Sequence, residues 1–366
     1  MSVLLVTGIH PPDVGGPATY IPKLAETMTT QGIEVEVLTL RDRHVPRLAF
    51  AYQVHSVVRE GLLIVRMIKV IGLTITRLRR VQAVMANGLH QEVAIALCFV
   101  KVRSLAKIVG DPVWERARNR GETKCELTDF AVFSKLSLRQ KIERLFLVWS
   151  LNRYSLVVCP SKELKNLVQS WGVKTEVLFI PNGIKQANHV SAPKEFDVCS
   201  ASRLVKWKNI DKIIDACGIV GATLAIAGDG PEYQALNQKV SNGNNQVKFF
   251  GQLNDEEVTE LVNKSRIFVL FSDYEGLSFS LLKAMSLGAP IIISDATGNV
   301  QVLENLRDCL VVPKQDTLKL SEAVSKLLAD EDLANKLGVA ARGKAEAQYS
   351  EAALLDQVID LLKVPA

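Results

Sequence analysis

The chain has 366 residues, 48% of them apolar, with only 22 Gly and 13 Pro. That composition excludes a disordered or repetitive polypeptide, and the length suits two domains of about 150–200 residues. The net charge of +5 is uneven: residues 1–190 carry 26 Lys+Arg against 15 Asp+Glu, or +11, and residues 191–366 carry 18 against 24, or −6. The first half is therefore the one that attracts phosphate, anionic lipid or nucleic acid. Cys98, Cys125, Cys159, Cys199, Cys217 and Cys309 form no CxxC pair, and the five His are scattered. This pattern reads as buried thiols in a reducing, cytoplasmic compartment, with no metal site built by the protein. The opening MSVLLVTGIHPP lacks a basic leader region and reads as a first strand. No run of 18 apolar residues is present to span a bilayer.

Short apolar runs alternate with helical stretches along the first half. Strands are expected at Ser2–Thr7, Glu34–Leu40, Leu62–Val65, Ala83–Met85, Leu105–Val109 and Leu156–Cys159, with a helix over Ala18–Gln31 stopped by Gly32. The second half repeats the style at Phe196–Ala201, Leu224–Ala227, Val247–Phe250, Ile267–Phe271, Pro290–Ile293 and Cys309–Val312. Such alternation predicts parallel sheets with crossover helices, hence two Rossmann-like domains in tandem. The boundaries expected are 1–184, a polar linker at 185–195, 196–345, and a terminal segment 346–366 whose helix covers Glu351–Val364.

Ligands of doubly wound sheets bind at the carboxyl ends of the strands, so the loops there are the candidates. After the first strand, HPPDVGGPATY places Gly15 and Gly16 before a helix, with Pro17 in its first turn, offering backbone N–H groups to an anion or hydroxyl. It is neither GxGxxG nor GxxxxGK. His90 follows another strand. In KIVGDPVWERARNRG, Asp111, Trp114, Glu115 and Arg116 cluster after a strand end, where Asp111 also suits an N-cap with Pro112 next. In SRLVKWKNID, Arg203 and Lys208 leave a strand end together, as suits a diphosphate. Gly251 ends a strand and lets a flat ring approach the backbone. In SDYEGLSFSLLKAMSLGAP, Glu275 stands at the mouth of a buried helix expected over Leu277–Leu287, where a carboxylate is favoured and can accept ligand hydroxyls.

Taken in order and spacing, PPDVGGPATY, VVCPSKEL, FIPNGI, SRLVKWKNID, AIAGDGPE, FFGQLNDEE and SDYEGLSFSLLKAMSLGAPIIISDATGN resemble glycosyltransferase family 4, the retaining nucleotide-sugar enzymes of the GT-B fold, over nearly the whole chain. The resemblance implies an α/β chain of two Rossmann-like domains facing across a cleft, the first for the acceptor and the second for a UDP- or GDP-linked sugar. It implies that Arg203 and Lys208 clamp the donor diphosphate and that Glu275 holds the transferred sugar, helped by the N–H groups of Gly276 and Leu277. Gly15 and Gly16 would lie beside the diphosphate and sugar, and His90 near the reacting carbon. Asp111 and the Trp114–Arg116 patch would face the acceptor, a glycan or lipid-linked sugar, and the last helix would return to the first domain. One position departs: the family usually has a second glutamate where this chain has Lys283, and that glutamate usually binds the ribose hydroxyls. Lysine donates but does not accept, so donor choice can differ, and Lys283 can instead meet a donor phosphate.

No paired carboxylates of glycosidase type and no DxD-like metal pair follow a strand, so a metal is not expected. Alternative readings are a catalytically silent nucleotide-sugar-binding protein, motivated by Lys283, and a GT-B nucleotide-sugar epimerase, whose acid–base motifs are missing. Residues 62–80 and 132–149 mix apolar and basic side chains and suit either packing against the first sheet or an anionic membrane surface. A monomer or homodimer fits equally. Nucleic acid is not an expected partner, because the basic half shows neither stacked aromatics nor a recognition-helix signal.

Overall fold

The computed structural model describes residues 1–44, 48–123, 125, 127–130, 136–186, 193–241, 243 and 246–363. The expected linker is therefore described only in part, since residues 187–192 lie outside this set, as do residues 132–135 of the second basic stretch. The chain divides into two compact units. The first is Met1–Arg116, Cys125–Pro181 and Ala352–Ala366; the second is Ala117–Lys124 and Asn182–Glu351.

In chain order the first unit contains β1 (Ser2–Thr7), α1 (Gly16–Thr30), β2 (Glu34–Arg41), β3 (Gln53–Val58), α2 (Leu63–Leu78), β4 (Ala83–Asn87), α3 (His90–Leu97), β5 (Arg103–Lys107), α4 (Pro112–Asn119, entering the second unit at Ala117), α5 (Leu127–Phe130), α6 (Leu138–Leu151), β6 (Leu156–Cys159), α7 (Lys162–Ser170) and β7 (Val177–Phe179). Its seven strands are all parallel, in the order β3-β2-β1-β4-β5-β6-β7. The order reverses between β1 and β4. Gly15 and Gly16 follow β1 and His90 follows β4, so both expected loops flank this switch point.

One expected strand is corrected. Leu62–Val65 is the N-cap and first turn of α2, and the third strand is Gln53–Val58. A four-residue apolar run is compatible with strand or helix, and burial arbitrates. Leu62, Leu63, Ile64 and Val65 are all exposed, whereas β3 is an edge strand that buries only Val57 and needs no continuous apolar run. β7, also an edge strand, was too short and mixed to be read from the sequence.

The second unit contains β8 (Phe196–Ala201), a 3-10 turn (Lys206–Lys208), α8 (Ile210–Val220), β9 (Leu224–Ala227), α9 (Tyr233–Ser241), β10 (Val247–Gly251), α10 (Asp255–Asn263), β11 (Ser265–Leu270), α11 (Phe279–Ser286), β12 (Ile291–Ser294), α12 (Thr297–Val300), β13 (Leu310–Val312), α13 (Thr317–Ala329) and α14 (Glu331–Gln348). Six parallel strands run β10-β9-β8-β11-β12-β13, reversing between β8 and β11. Successive residues of these strands feed opposite faces. Cys199, Phe268, Leu270, Ile291 and Ile293 enter one core, with α11; Val198, Ile267, Val269 and Ile292 enter the other, with α8 and α13. Burial on both faces explains why the strands read as unbroken apolar runs.

The last helix, α15 (Glu351–Lys363), belongs from Ala352 onward to the first unit, where Asp356 Oδ1 accepts from Gln31 Nε2 at 2.7 Å and the Leu361 carbonyl from Arg103 Nε at 3.1 Å.

Candidate functional site

The second unit brings together residues from both sides of its switch point. After β8 the chain makes the Lys206–Lys208 turn, ended by Asn209 at φ 50°. Asn209 Nδ2 donates to the Phe271 carbonyl at 3.0 Å and to Asp273 Oδ1 at 2.7 Å, which ties the loop after β8 to the loop after β11. That tie delivers Lys208 Nζ to Glu275 Oε1, in a direct ion pair whose side chains are 12% and 7% exposed. Ser272 Oγ, fully buried, donates to the same oxygen at 2.7 Å. Glu275 Oε2 takes no hydrogen bond from the described residues and remains an acceptor. Arg203 is exposed on the same loop, its guanidinium 5.8 Å from the ring of the buried Trp207.

The helix behind Glu275 starts later than expected. α11 begins at Phe279 and is capped by Ser278, whose Oγ accepts from Leu281 N at 3.4 Å. Gly276 and Leu277 therefore precede the helix. Leu277 is buried, and its carbonyl accepts from Asn182 Nδ2 at 3.1 Å. The Ser-x-x-Leu cap was hidden because the apolar run starts at Leu277 and a cap one residue inside it leaves no gap in the pattern. Lys283 is committed to a partner: Nζ lies 2.8 Å from Oδ2 of Asp255, the first residue of α10. Gly251, φ 66°, ends β10 and accepts on its carbonyl from Gly228 N at 2.6 Å. Asn254 caps α10 in a capping box with Glu257.

Two contributors were not read from the sequence, Ser272 and Gly298. A Cβ on Gly298, in α12, would overlap the Glu275 carbonyl oxygen. Gly298→Ala should push Glu275 out of register with Lys208 and lower turnover on the order of 10²-fold, with the thermal midpoint of unfolding as a control for global damage. Full turnover in that variant would show that the backbone at Glu275 has slack.

In the first unit Gly15 adopts φ 151° as the N-cap of α1, and Gly16 opens the helix. His90 begins α3 just after Leu89 at φ 53°. Its Nε2 stands 3.0 Å from the Lys107 carbonyl oxygen and 3.3 Å from the Gly88 amide nitrogen. Burial pushes the imidazole down to about 4, against the opposing pull of the Lys107 and Ala86 carbonyls, so the ring is neutral at neutral pH.

Asp111, Trp114 and Arg116 are bound into structure. The Asp111 carboxylate, wholly buried, caps α4 through Val113 N at 2.9 Å and Trp114 N at 3.2 Å, and pairs with the buried Arg144. Trp114 is buried and donates from Nε1 to the Cys125 carbonyl at 3.0 Å. Glu115 is half-buried in the first turn of α4, and Arg116 Nε donates to Glu143 Oε2 at 3.1 Å. Of this patch, Glu115 and Arg116 are half-buried, with 41% of the Arg116 side chain exposed.

Lys107, at the end of β5, is a buried cation that the sequence did not flag. Its Nζ sits 3.3 Å from the centroid of the Tyr20 ring and has no hydrogen-bond partner among the described residues. Burial lowers its ammonium from 10.5 to about 7, with the Cys159 thiol pulling the other way. Because the folded value lies below the unfolded one, the folded state binds fewer protons between pH 7 and 10.5, and stability rises across that window. The span corresponds to ~5 kcal/mol. Lys107→Met should therefore raise the unfolding midpoint at pH 6–7 and flatten its rise towards pH 10. An unchanged pH profile in thermal melts would contradict the buried-amine account.

Among the described residues no cluster of His, Cys, Asp or Glu could hold a metal ion, and no helix is long and apolar enough to cross a membrane. The fold matches that of sucrose-phosphate synthase from Thermosynechococcus elongatus with a TM-score of 0.81, over 98% of each chain at 18% identity. It also matches Anabaena HepE in complex with UDP and glucose, with a TM-score of 0.78 over 98% of each chain at 16% identity. These likenesses show the two-domain α/β GT-B fold. By sequence, an uncharacterized glycosyltransferase from Methanocaldococcus jannaschii is 24% identical over 206 residues, 56% of this chain and 58% of the relative. The chain spans about half the length of the curated relatives it matches. Residues 182–344, the segment that holds Arg203, Lys208 and Glu275, match the family model described as Glycosyl transferases group 1.

Proposed function

We propose that the protein is a retaining glycosyltransferase that moves a hexosyl unit from a UDP- or GDP-linked sugar to a glycan or lipid-linked sugar, in the synthesis of a cell-surface polysaccharide or glycolipid. The observation that carries this reading is the Lys208–Glu275–Ser272 constellation, held across the switch point of the segment that matches the glycosyl transferase family. The UDP and glucose in the Anabaena relative support a nucleotide-sugar donor. In this proposal residues 196–345 bind the donor and residues 1–184 the acceptor.

The chemistry follows from charge. As the bond from the anomeric carbon to the leaving oxygen breaks, negative charge grows on the diphosphate. Arg203 and Lys208 stabilise that charge more than they stabilise the bound substrate. An ammonium has three donors, so Lys208 can keep Glu275 and still meet a phosphate oxygen. Glu275 Oε2 accepts sugar hydroxyls, while Ser272 and Lys208 fix the carboxylate through Oε1. Glu275 is not a nucleophile here: the leaving phosphate assists deprotonation of the acceptor hydroxyl on the same face. Gly15, Gly16, His90, Gly251, Gly276 and Leu277 are proposed to line the donor and the reacting centre, and Glu115 with Arg116 the acceptor, while Asp111 and Trp114, 0% and 1% exposed, hold α4 from within. His90 acts in its neutral form, offering polarity without charge.

The test is release of UDP or GDP from a panel of nucleotide sugars, with and without crude glycolipid acceptor. One other reading has an observation behind it, because Lys283, at the position where the resemblance to family 4 implies a glutamate, is bonded to Asp255. If the protein binds nucleotide sugars yet neither hydrolyses nor transfers them, it is a silent binding protein and the transferase proposal fails.

A further inference from the structure

α6 is amphipathic in the wrong direction for a surface helix. Its buried side carries Gln140, Arg144 and Ser150 beside Leu147 and Leu151. Its outward side carries Leu138, Ile142, Leu145 and Phe146, which are 77%, 60%, 58% and 38% exposed, with the half-buried Trp149 one turn further on. The spacing 138, 142, 145, 149 is one continuous stripe on a helix. Phe146 and Trp149 stack at 5.6 Å between centroids, and the Arg153 guanidinium lies 5.1 Å from the Trp149 ring. A second exposed apolar run, Leu62, Leu63, Ile64, Val65 and Ile68, forms the first turns of α2, whose N-cap Leu62 makes no side-chain capping bond. Both belong to one layer of helices, since α3 packs against α2 and against α6. Water is a poor partner for so much apolar surface in one layer.

The charges at its margins select the partner. Arg139, Lys141 and Arg153 border the α6 stripe. Its single acid, Glu143, is already held by Arg116 and Arg139, each at 3.1 Å. α2 contains Arg66 and Lys69 near its exposed turns and no acid along its length; the nearest acid in sequence, Glu60, accepts from the Arg43 amide at 2.9 Å. Apolar side chains that insert, a tryptophan beside an arginine at the margin, and basic residues around them match the interface of an anionic bilayer. A second copy of the chain fits less well, because a two-fold contact through α6 sets this basic margin against itself. We infer that the outward stripe of α6, together with the first turns of α2, docks the first unit on an anionic phospholipid surface. The inference stands independently of the transferase reading, because it concerns adsorption alone.

The experiment is flotation of the full chain with vesicles of phosphatidylcholine alone or with about one-third phosphatidylglycerol, at low and at 0.5 M salt. Binding is expected to the anionic vesicles at low salt, with at least about a tenfold loss in high salt or on neutral vesicles. Ile142→Glu combined with Leu145→Glu, both at exposed positions, should lower partition at least about tenfold while the unfolding midpoint holds. A measurement on the intact surface guards against a variant that misfolds. Tryptophan emission should shift to the blue and be quenched by brominated lipid on adding anionic vesicles, and Trp149→Phe should remove most of that response. The inference is overturned if the wild type does not float with anionic vesicles at low salt, or if the double variant floats as well as the wild type. It is equally overturned if light scattering finds a stable dimer that the double variant disperses, since the stripe then belongs to a second copy.

Discussion

Lys208→Ala is expected to lower kcat by about 10²–10³-fold on a nucleotide-sugar donor, corresponding to about 2.7–4 kcal/mol of transition-state stabilisation. Two losses combine. The leaving diphosphate loses a cation, and the buried Glu275 carboxylate loses its charge partner and keeps only Ser272 on Oε1. Glu275→Gln separates them, because the amide removes the acceptor charge but leaves Lys208 free to meet phosphate. In steady-state kinetics Lys208→Ala should depress kcat and kcat/KM together, the signature of an interaction strongest in the transition state. Arg203, exposed on the same loop, should show a larger share of its effect in KM. Unchanged turnover in the Arg203→Ala, Lys208→Ala double variant would remove the basis for placing the diphosphate here.

Asp111→Ala should destabilise the first unit by about 3–5 kcal/mol, the cost of leaving one member of a buried ion pair behind. Arg144 is 2% exposed, its Nη1 already lacks a partner among the described residues, and its guanidinium lies 4.1 Å from the Trp171 ring. Without Asp111 it is a buried cation held only by an aromatic face. The variant also loses the cap on α4, at Val113 N and Trp114 N. A fall in the unfolding midpoint of about 10 °C or more follows for a unit of this size. Arg144→Met in the Asp111→Ala background should restore much of the loss, since the unpaired charge goes with it. The pair of variants also separates the two roles of this segment. A restored but inactive double variant shows that Asp111 must hold α4 in place for acceptor binding; a restored and active one makes it wholly architectural.

The loops that follow the strands were readable because parallel sheets buried on both faces must be written as short apolar runs, and the residues after each run are then fixed at the carboxyl edge. Arg203, Lys208, Glu275 and Gly251 were found in this way. Ser272 was not, because a lone serine between a strand and a turn carries no pattern. Lys107 was not, because one cation inside the apolar run SLAKIV breaks no pattern and looks like an ordinary outward-facing strand residue. Leu62–Val65 failed for the opposite reason: its pattern was strong, and the apolar run it predicted to be buried is exposed.

By itself the sequence determined the alternation of strands and helices, the two parallel sheets, the glycine turn before α1 and the motifs within residues 182–344, the segment that matches the glycosyl transferase model, because each is set by local composition and spacing. The tertiary structure alone decided which charges meet. Lys208 reaches Glu275 across 67 residues, Lys283 reaches Asp255 across 28, and Asp111 reaches Arg144 across 33. It alone decided, too, that α6 turns Leu138 and Leu145 outward and Arg144 inward. An ion pair is fixed by position in space and a helix's orientation by what packs beneath it, and neither leaves a period in the chain.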